Sequence, residues 1–136
     1  MKELEVRADG DELSTVIKFV DELIEEVGCS PKTQMQIELS VEEIFVNIAN
    51  YAYTPGTGNA LIRVDISGDP PTAEITFVDQ GRQYDPLAKE DPDVTLSAKE
   101  RGIGGLGIFL TKKSMDEVSY AYRDGSNIFT MKKVLA

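Results

Sequence analysis

Val41-Glu42-Glu43-Ile44-Phe45-Val46-Asn47-Ile48-Ala49-Asn50-Tyr51-Ala52-Tyr53 is the stretch on which the architecture of this chain turns. Ile37, Val41, Ile44, Phe45, Ile48 and Ala52 recur at the three- and four-residue spacing of a helix with one apolar face. Ser30-Pro31 upstream offers an N-cap and a proline at the first helical position, so a helix is expected from residue 31 to about residue 53. At about 100° per residue, Gln36, Glu43, Asn47 and Asn50 share one narrow arc away from the apolar stripe. Between residues 38 and 53 the polar side chains are Ser, Glu, Asn and Tyr, without the mixed charges of a merely soluble face. A Glu with an Asn one turn on suits a hydroxyl or water beside a hydrated Mg²⁺, the Asn giving a neutral oxygen and the Glu accepting a proton. A solvated helix face is the other reading of the same residues.

On either side the chain alternates or repeats in simple ways. Residues 4–7 read as an edge strand, and Leu13, Val16, Ile17, Val20, Leu23, Ile24 and Val27 as a helix closed by Gly28. After the turn-rich residues 54–59, Ile62, Val64 and Ile66 and then Ala73, Ile75 and Phe77 alternate with other residues on both sides of a Gly-Asp-Pro-Pro turn, which makes a hairpin. Residues 102–115 read as a third helix, and residues 118–123 and 127–134 as a last hairpin about Asp124-Gly125. The order β-α-α-β-β-α-β-β points to one α+β domain over residues 1–136. It is a two-layer sandwich whose mixed, mostly antiparallel sheet carries three helices on one face. Residues 82–101 hold charges, prolines and few apolar anchors, a length that suits a lid, taken as about residues 82–104.

Composition removes several function classes. A formal charge of −10 and a pI near 4.4 oppose broad contact with nucleic acid or anionic lipid. No apolar run reaches the roughly 20 residues of a membrane span, and the first residues lack the apolar core of a secretory signal, so a cytoplasmic location is expected. The single cysteine, Cys29, has no internal partner, and the absence of histidine removes Ser-His and Cys-His catalysis, most zinc sites and any phosphohistidine. Chemistry is left to carboxylates, amides, Lys and Arg.

Two further motifs can meet the polar arc of the second helix. Asp79 continues the parity of Ala73, Ile75 and Phe77, so it should point to the core side at the strand's end. A carboxylate there needs donors. The exocyclic amine of adenine is one, and Gly81 would let a flat base approach the backbone; an Asp-x-Gly turn is the plainer reading. Gly102-Ile103-Gly104-Gly105-Leu106-Gly107 opens an apolar helix, so its backbone amides could cradle phosphates. A dinucleotide fold would need that glycine pattern directly after a parallel strand, whereas here it follows Ser97-Ala98-Lys99-Glu100-Arg101, and no P-loop sequence is present.

These stretches resemble the Bergerat-fold (histidine-kinase-like) ATPases, the superfamily of gyrase, heat-shock chaperone and histidine-kinase ATP domains, and most closely the anti-sigma-factor serine kinases. The resemblance runs over nearly the whole chain. It is carried by residues 41–53, by Phe77-Val78-Asp79-Gln80-Gly81-Arg82-Gln83-Tyr84-Asp85-Pro86, and by Gly104-Gly105-Leu106-Gly107-Ile108-Phe109-Leu110 with Met115-Asp116-Glu117-Val118. It implies that Glu43 is the general base, that Asn47 holds Mg²⁺ and that Asp79 reads the adenine amine with Gly81 beside the ring. Gly105 and Gly107 would border the phosphates of ATP, with Asn50, Gly102, Gly104 and Leu106 completing the nucleotide site, and Thr130 would help hold the base. Tyr51 stands where the family often has a basic or His residue, and Lys99 and Arg101 are candidate phosphate contacts.

Length and the lack of histidine select the stand-alone serine-kinase branch. The resemblance thus implies phosphoryl transfer from Mg-ATP to a serine of a small antagonist (anti-anti-sigma) protein, sequestration of a sigma factor, and a homodimer. A module that binds ATP or ADP and exchanges partners without phosphorylating them is the alternative, and a dinucleotide oxidoreductase is a third reading that NAD binding would reveal.

Overall fold

In a computed structural model of the chain, which describes residues 1–88 and 106–135, alternation and periodicity become strands and helices close to where the sequence puts them. The elements are β1 (Lys2–Arg7), α1 (Leu13–Val27), α2 (Pro31–Asn47), β2 (Asn59–Ser67), β3 (Thr72–Asp79), α3 (Leu106–Ser114), β4 (Glu117–Arg123) and β5 (Ser126–Val134). The described strands form one five-stranded sheet in the order β1-β2-β3-β5-β4, and every neighbouring pair is antiparallel, so the mixed component expected from sequence is not among them. Short turns link β2 to β3 and β4 to β5, and antiparallel pairing is what such turns allow.

Local chemistry sets the helix ends. Gly28 ends α1 at φ +95°, a conformation that costs a glycine little, and its N–H bonds the Ile24 carbonyl at 2.8 Å. Two residues later Ser30 caps α2, its Oγ accepting from Thr33 N at 3.1 Å, with Pro31 inside the first turn.

One core joins the two layers. Val16, Val20 and Ile24 of α1 and Ile37, Val41, Ile44 and Phe45 of α2 bury against the inward-facing Ile62, Val64, Ile75, Phe77, Phe129 and Met131 of the sheet. Phe45 and Phe77 are sealed at this junction, and truncating either to Ala is expected to cost about 3–5 kcal/mol.

The register brings chemistry to one end of the sheet. On central strand β3, Asp79 faces Ala60 of β2 on one side and Asn127 of β5 on the other. At the same end of the molecule, α2 does not run regularly to residue 53: its α-helical winding stops at Asn47, and Ile48–Ala52 form a π-helical turn. Such turns are rare and concentrate near functional sites.

Candidate functional site

Between α2, α3 and the ends of β3, β5 and β4 opens a cleft of about 490 Å³. Ile44, Ile48, Phe77, Ile108 and Phe129 give it apolar walls, and Glu43, Asn47, Asp79 and Asn127 are its polar points. Apolar walls with a few placed polar groups are the usual make-up of a small-molecule site.

At the deep end Asp79 is 5% exposed. Its Oδ1 accepts from Gly81 N at 3.0 Å and from Asn127 Nδ2 at 2.9 Å. No donor among the described residues takes Oδ2. Asn127, 7% exposed, also donates from Nδ2 to the Arg82 carbonyl at 2.9 Å, and its Oδ1 accepts from Tyr84 N at 3.1 Å and from the Tyr120 hydroxyl. Burial raises the Tyr120 phenol, which keeps it protonated as a donor.

The wall beside this end is pinned to α2. Gly81 lies so close to the π-helical turn that a Cβ there would come within 2.2 Å of the Ala52 carbonyl oxygen, and that same oxygen accepts from Arg82 N at 2.9 Å. Tyr53 adds a second tie, its hydroxyl donating to the Asn59 carbonyl at 2.6 Å and accepting from Gln80 N at 2.7 Å.

At the open end Glu43 and Asn47 are part-buried, one helical turn apart, with Asn47 Nδ2 donating to Glu43 Oε1 at 3.1 Å. That bond leaves the Asn47 carboxamide oxygen for another partner. Gly107, in the first turn of α3, lies directly on the Glu43 carboxyl: a Cβ on it would stand 2.1 Å from Glu43 Cδ.

The residues singled out from sequence divide as follows. Glu43, Asn47 and Asp79 meet in the cleft, with Gly81 and Gly107 packed immediately behind its two ends. Asn50 is exposed and does not line the cleft; Tyr51, 60% exposed, lines it instead. The π-helical turn is the cause, because it winds more residues into each turn, so a residue three beyond Asn47 falls short of the polar arc that regular winding would give it. Thr130 is not brought to the cleft either: its Oγ1 is 3.4 Å from that of Thr76, on the sheet face opposite Phe129 and Met131. Gly102, Gly104, Gly105, Lys99 and Arg101 lie outside the described residues, and Leu106 is described only as the first residue of α3. Of the lid over residues 82–104, the described part is Arg82 to Ala88, which ends in a short 3-10 turn, Pro86–Ala88.

Sequence reasoning passed over Asn127, Tyr120 and Tyr84. One signal was available for Asn127, an amide in an otherwise β-favouring run, Ile128-Phe129-Thr130-Met131, where Asn is depleted unless it has polar work to do.

Adenine nucleotide and Mg²⁺ fit this donor set. Asp79 Oδ2 is an acceptor facing a cleft of purine size, and an ion that reaches the protein on phosphate oxygens needs few protein ligands. Among the described residues no three acidic, His or Cys side chains group as a metal site, so Asn47 would act beside phosphate and water. No described helix is long and apolar enough to cross a membrane.

Comparison with known proteins gives three findings. The family described as histidine kinase-like ATPase domain matches residues 6–133. The chain is similar to the serine/threonine-protein kinase BtrW of Bordetella bronchiseptica, 29% identical over 102 residues that span 75% of this chain and 71% of that one. Its fold is similar to the crystal structure of the RsbU and RsbW domains of Rv1364c from Mycobacterium tuberculosis, with a TM-score of 0.67 at 15% identity, over 99% of this chain but 33% of that one.

Proposed function

We propose, since this chain belongs to the histidine kinase-like ATPase domain family, that it is a protein serine kinase and anti-sigma factor. It uses Mg-ATP to phosphorylate a serine of a small antagonist protein, and its other state withholds a sigma factor. The observation that carries the reading is the pairing, across one cleft, of a buried Asp79 with an open acceptor oxygen and a Glu43 carboxylate oriented by Asn47. The name borne by the Bordetella relative, a serine/threonine-protein kinase, supports the kinase part of the reading.

In this reading Asp79 Oδ2 accepts a hydrogen from the exocyclic amine of adenine, while Ile48, Phe77 and Phe129 exclude water from the base. Glu43 takes the proton of the incoming seryl hydroxyl as that oxygen bonds to the γ-phosphorus and ADP departs. Asn47 keeps the carboxylate turned to the cleft with its amide N–H and offers its oxygen to the metal. Mg²⁺, when bound there, would neutralise charge developing on the phosphoryl oxygens. Because the base is held at one end and the acceptor at the other, most of the rate comes from positioning and electrostatics. A homodimer and a cytoplasmic setting accompany the proposal.

The test is incubation with labelled ATP, Mg²⁺ and a candidate antagonist protein, scored for phosphoserine by mass spectrometry. Label on a serine is the expected result. Nucleotide-dependent exchange of partners with every serine unmodified would replace the kinase reading with that of a binding module.

A further inference from the structure

Asn127 spends its whole hydrogen-bonding capacity inside the protein. Both N–H bonds of its amide are given away, to Asp79 Oδ1 and to the Arg82 carbonyl, and both lone pairs of Oδ1 are filled, by Tyr84 N and the Tyr120 hydroxyl. Turning the amide over would face its oxygen to two acceptors and its NH₂ to two donors, so one orientation alone is allowed. Nothing remains with which Asn127 could bind a ligand, although it lines the cleft.

What this fixed amide does is set the character of Asp79. With Oδ1 occupied by two donors, Asp79 presents Oδ2 to the cleft, and the two bonds hold the carboxyl group in one orientation. No salt bridge to Asp79 is present among the described residues, so these two dipoles carry the task. We propose that Asn127 is the specificity-determining positioning residue of the site. By holding Asp79 as a fixed acceptor, it selects a purine with an amine at position 6 over one with a carbonyl there. This rests on the adenine-nucleotide reading above. The same amide ties the carboxylate to the backbone of Arg82 and Tyr84, so the geometry of base recognition and the path of the chain leaving β3 are set together.

Asn127→Asp is nearly isosteric. It keeps an acceptor for Tyr84 N and Tyr120 and replaces the donor facing Asp79 by an oxygen. Two carboxyls in contact away from water retain a proton between them, and a protonated carboxyl can donate to a purine carbonyl. Among the described residues, the other titratable or charged groups around this spot include Tyr53, Tyr84, Tyr120, Tyr122, Asp85, Glu43 across the cleft, and Arg82, whose guanidinium bonds the Thr54 carbonyl.

The experiment is calorimetric titration of the whole chain with Mg-ATP and Mg-ITP, which differ in the amine or carbonyl at position 6 and in the hydrogen that N1 carries in ITP, at pH 6 and pH 8. The wild type is expected to prefer ATP by at least about 100-fold at both pH values, consistent with the penalty for mispairing a buried polar group. N127D is expected to lose at least tenfold of that preference, and to lose more at pH 6 than at pH 8. Asn127→Ala, which removes the donors without adding a charge, should weaken ATP binding and narrow the preference with no difference between the two pH values. It also carries the test if N127D does not fold. A folded variant that keeps the full wild-type preference overturns the role given to Asn127 and leaves the ATP reading standing. A wild type that takes up neither nucleotide overturns the ATP reading itself.

Discussion

At the deep end of the cleft, Asp79 and Asn127 are each less than a tenth exposed and share a closed set of bonds with Gly81, Arg82, Tyr84 and Tyr120; at the open end, Glu43 and Asn47 are part-buried and share one bond on one helix. The deep end is assembled from β3, β5, β4 and the chain after β3, so its geometry is over-determined by long-range contacts. The open end is local to α2, and Gly107 of α3 rests on it. Recognition of a base profits from a rigid, pre-paired acceptor, whereas a proton acceptor has to change partners during a reaction. The two ends differ as those two tasks would require.

The largest effect should come from the lightly held end. Glu43→Gln removes the proton acceptor while keeping shape and the possibility of a bond to Asn47. It is expected to lower phosphoryl transfer by about 10³-fold while ATP affinity, measured by calorimetry, changes by less than about threefold. Retained transfer would remove Glu43 from its role. Next comes Asp79→Ala, which deletes the acceptor and leaves one N–H of Asn127 Nδ2 unpaired, the other still donating to the Arg82 carbonyl. Its expected effect is on ATP affinity, weaker by about 100-fold, and an unchanged dissociation constant would mean that the base does not sit at this end.

A third test puts the same small change at both ends. Gly81→Ala drives a methyl into the Ala52 carbonyl oxygen, a backbone atom that cannot turn aside, so a loss of about 2 kcal/mol of unfolding free energy is expected in urea titrations. Gly107→Ala drives a methyl into the Glu43 carboxyl instead, the mobile tip of a side chain. Stability should barely move, while turnover falls about tenfold because the carboxylate is displaced. If the two alanine variants behaved alike, the contrast between the ends would be wrong.

The smallest effect lies away from both ends. Asp21 on α1 is pushed up to about 7, first by burial and then by the hydrogen bond and charge of Glu38, and its Oδ1 is buried without a partner. A carboxyl raised in the folded state favours folding while protonated. Its contribution is complete below the ordinary carboxylate pKa and is lost as pH rises through about 7. Asp21→Asn, a mimic of the protonated form, should therefore raise Tm at pH 8 by about 3 °C, with a smaller rise at pH 5 and neither nucleotide affinity nor turnover altered. A lower Tm at pH 8 would contradict the sign.

Much of this architecture can be read directly from the chain, because each element announces itself locally. The Leu13–Val27 helix, its glycine stop, the Ser30-Pro31 start and the inward parity of Asp79 all follow from neighbours in sequence. What escaped depends on events that no short window records. Strand β5 carries Ile128 and Phe129 side by side, so both of its faces look apolar and its parity is undecided until β3 pairs with it; only then does Asn127 face Asp79 and Thr130 face Thr76. Tyr120 and Tyr84 join the site through that same pairing. Asn50 misleads for another reason: a regular helical wheel assumes uniform winding, and the winding changes two residues earlier.

That change of winding makes the length of residues 48–52 a counted quantity. A π-helical turn amounts to one residue more than an α-helix needs for the same rise. Deleting a single residue there would let α2 continue regularly, and the helix itself would lose little. Everything after the deletion would swing by about 100°, carrying the Ala52 carbonyl off Arg82 N and the Tyr53 hydroxyl off Gln80 N. Ordinary loops tolerate a change of one residue; here a one-residue ruler sets the distance between helix and sheet, and shortening it would unfasten the cleft while leaving each wall intact.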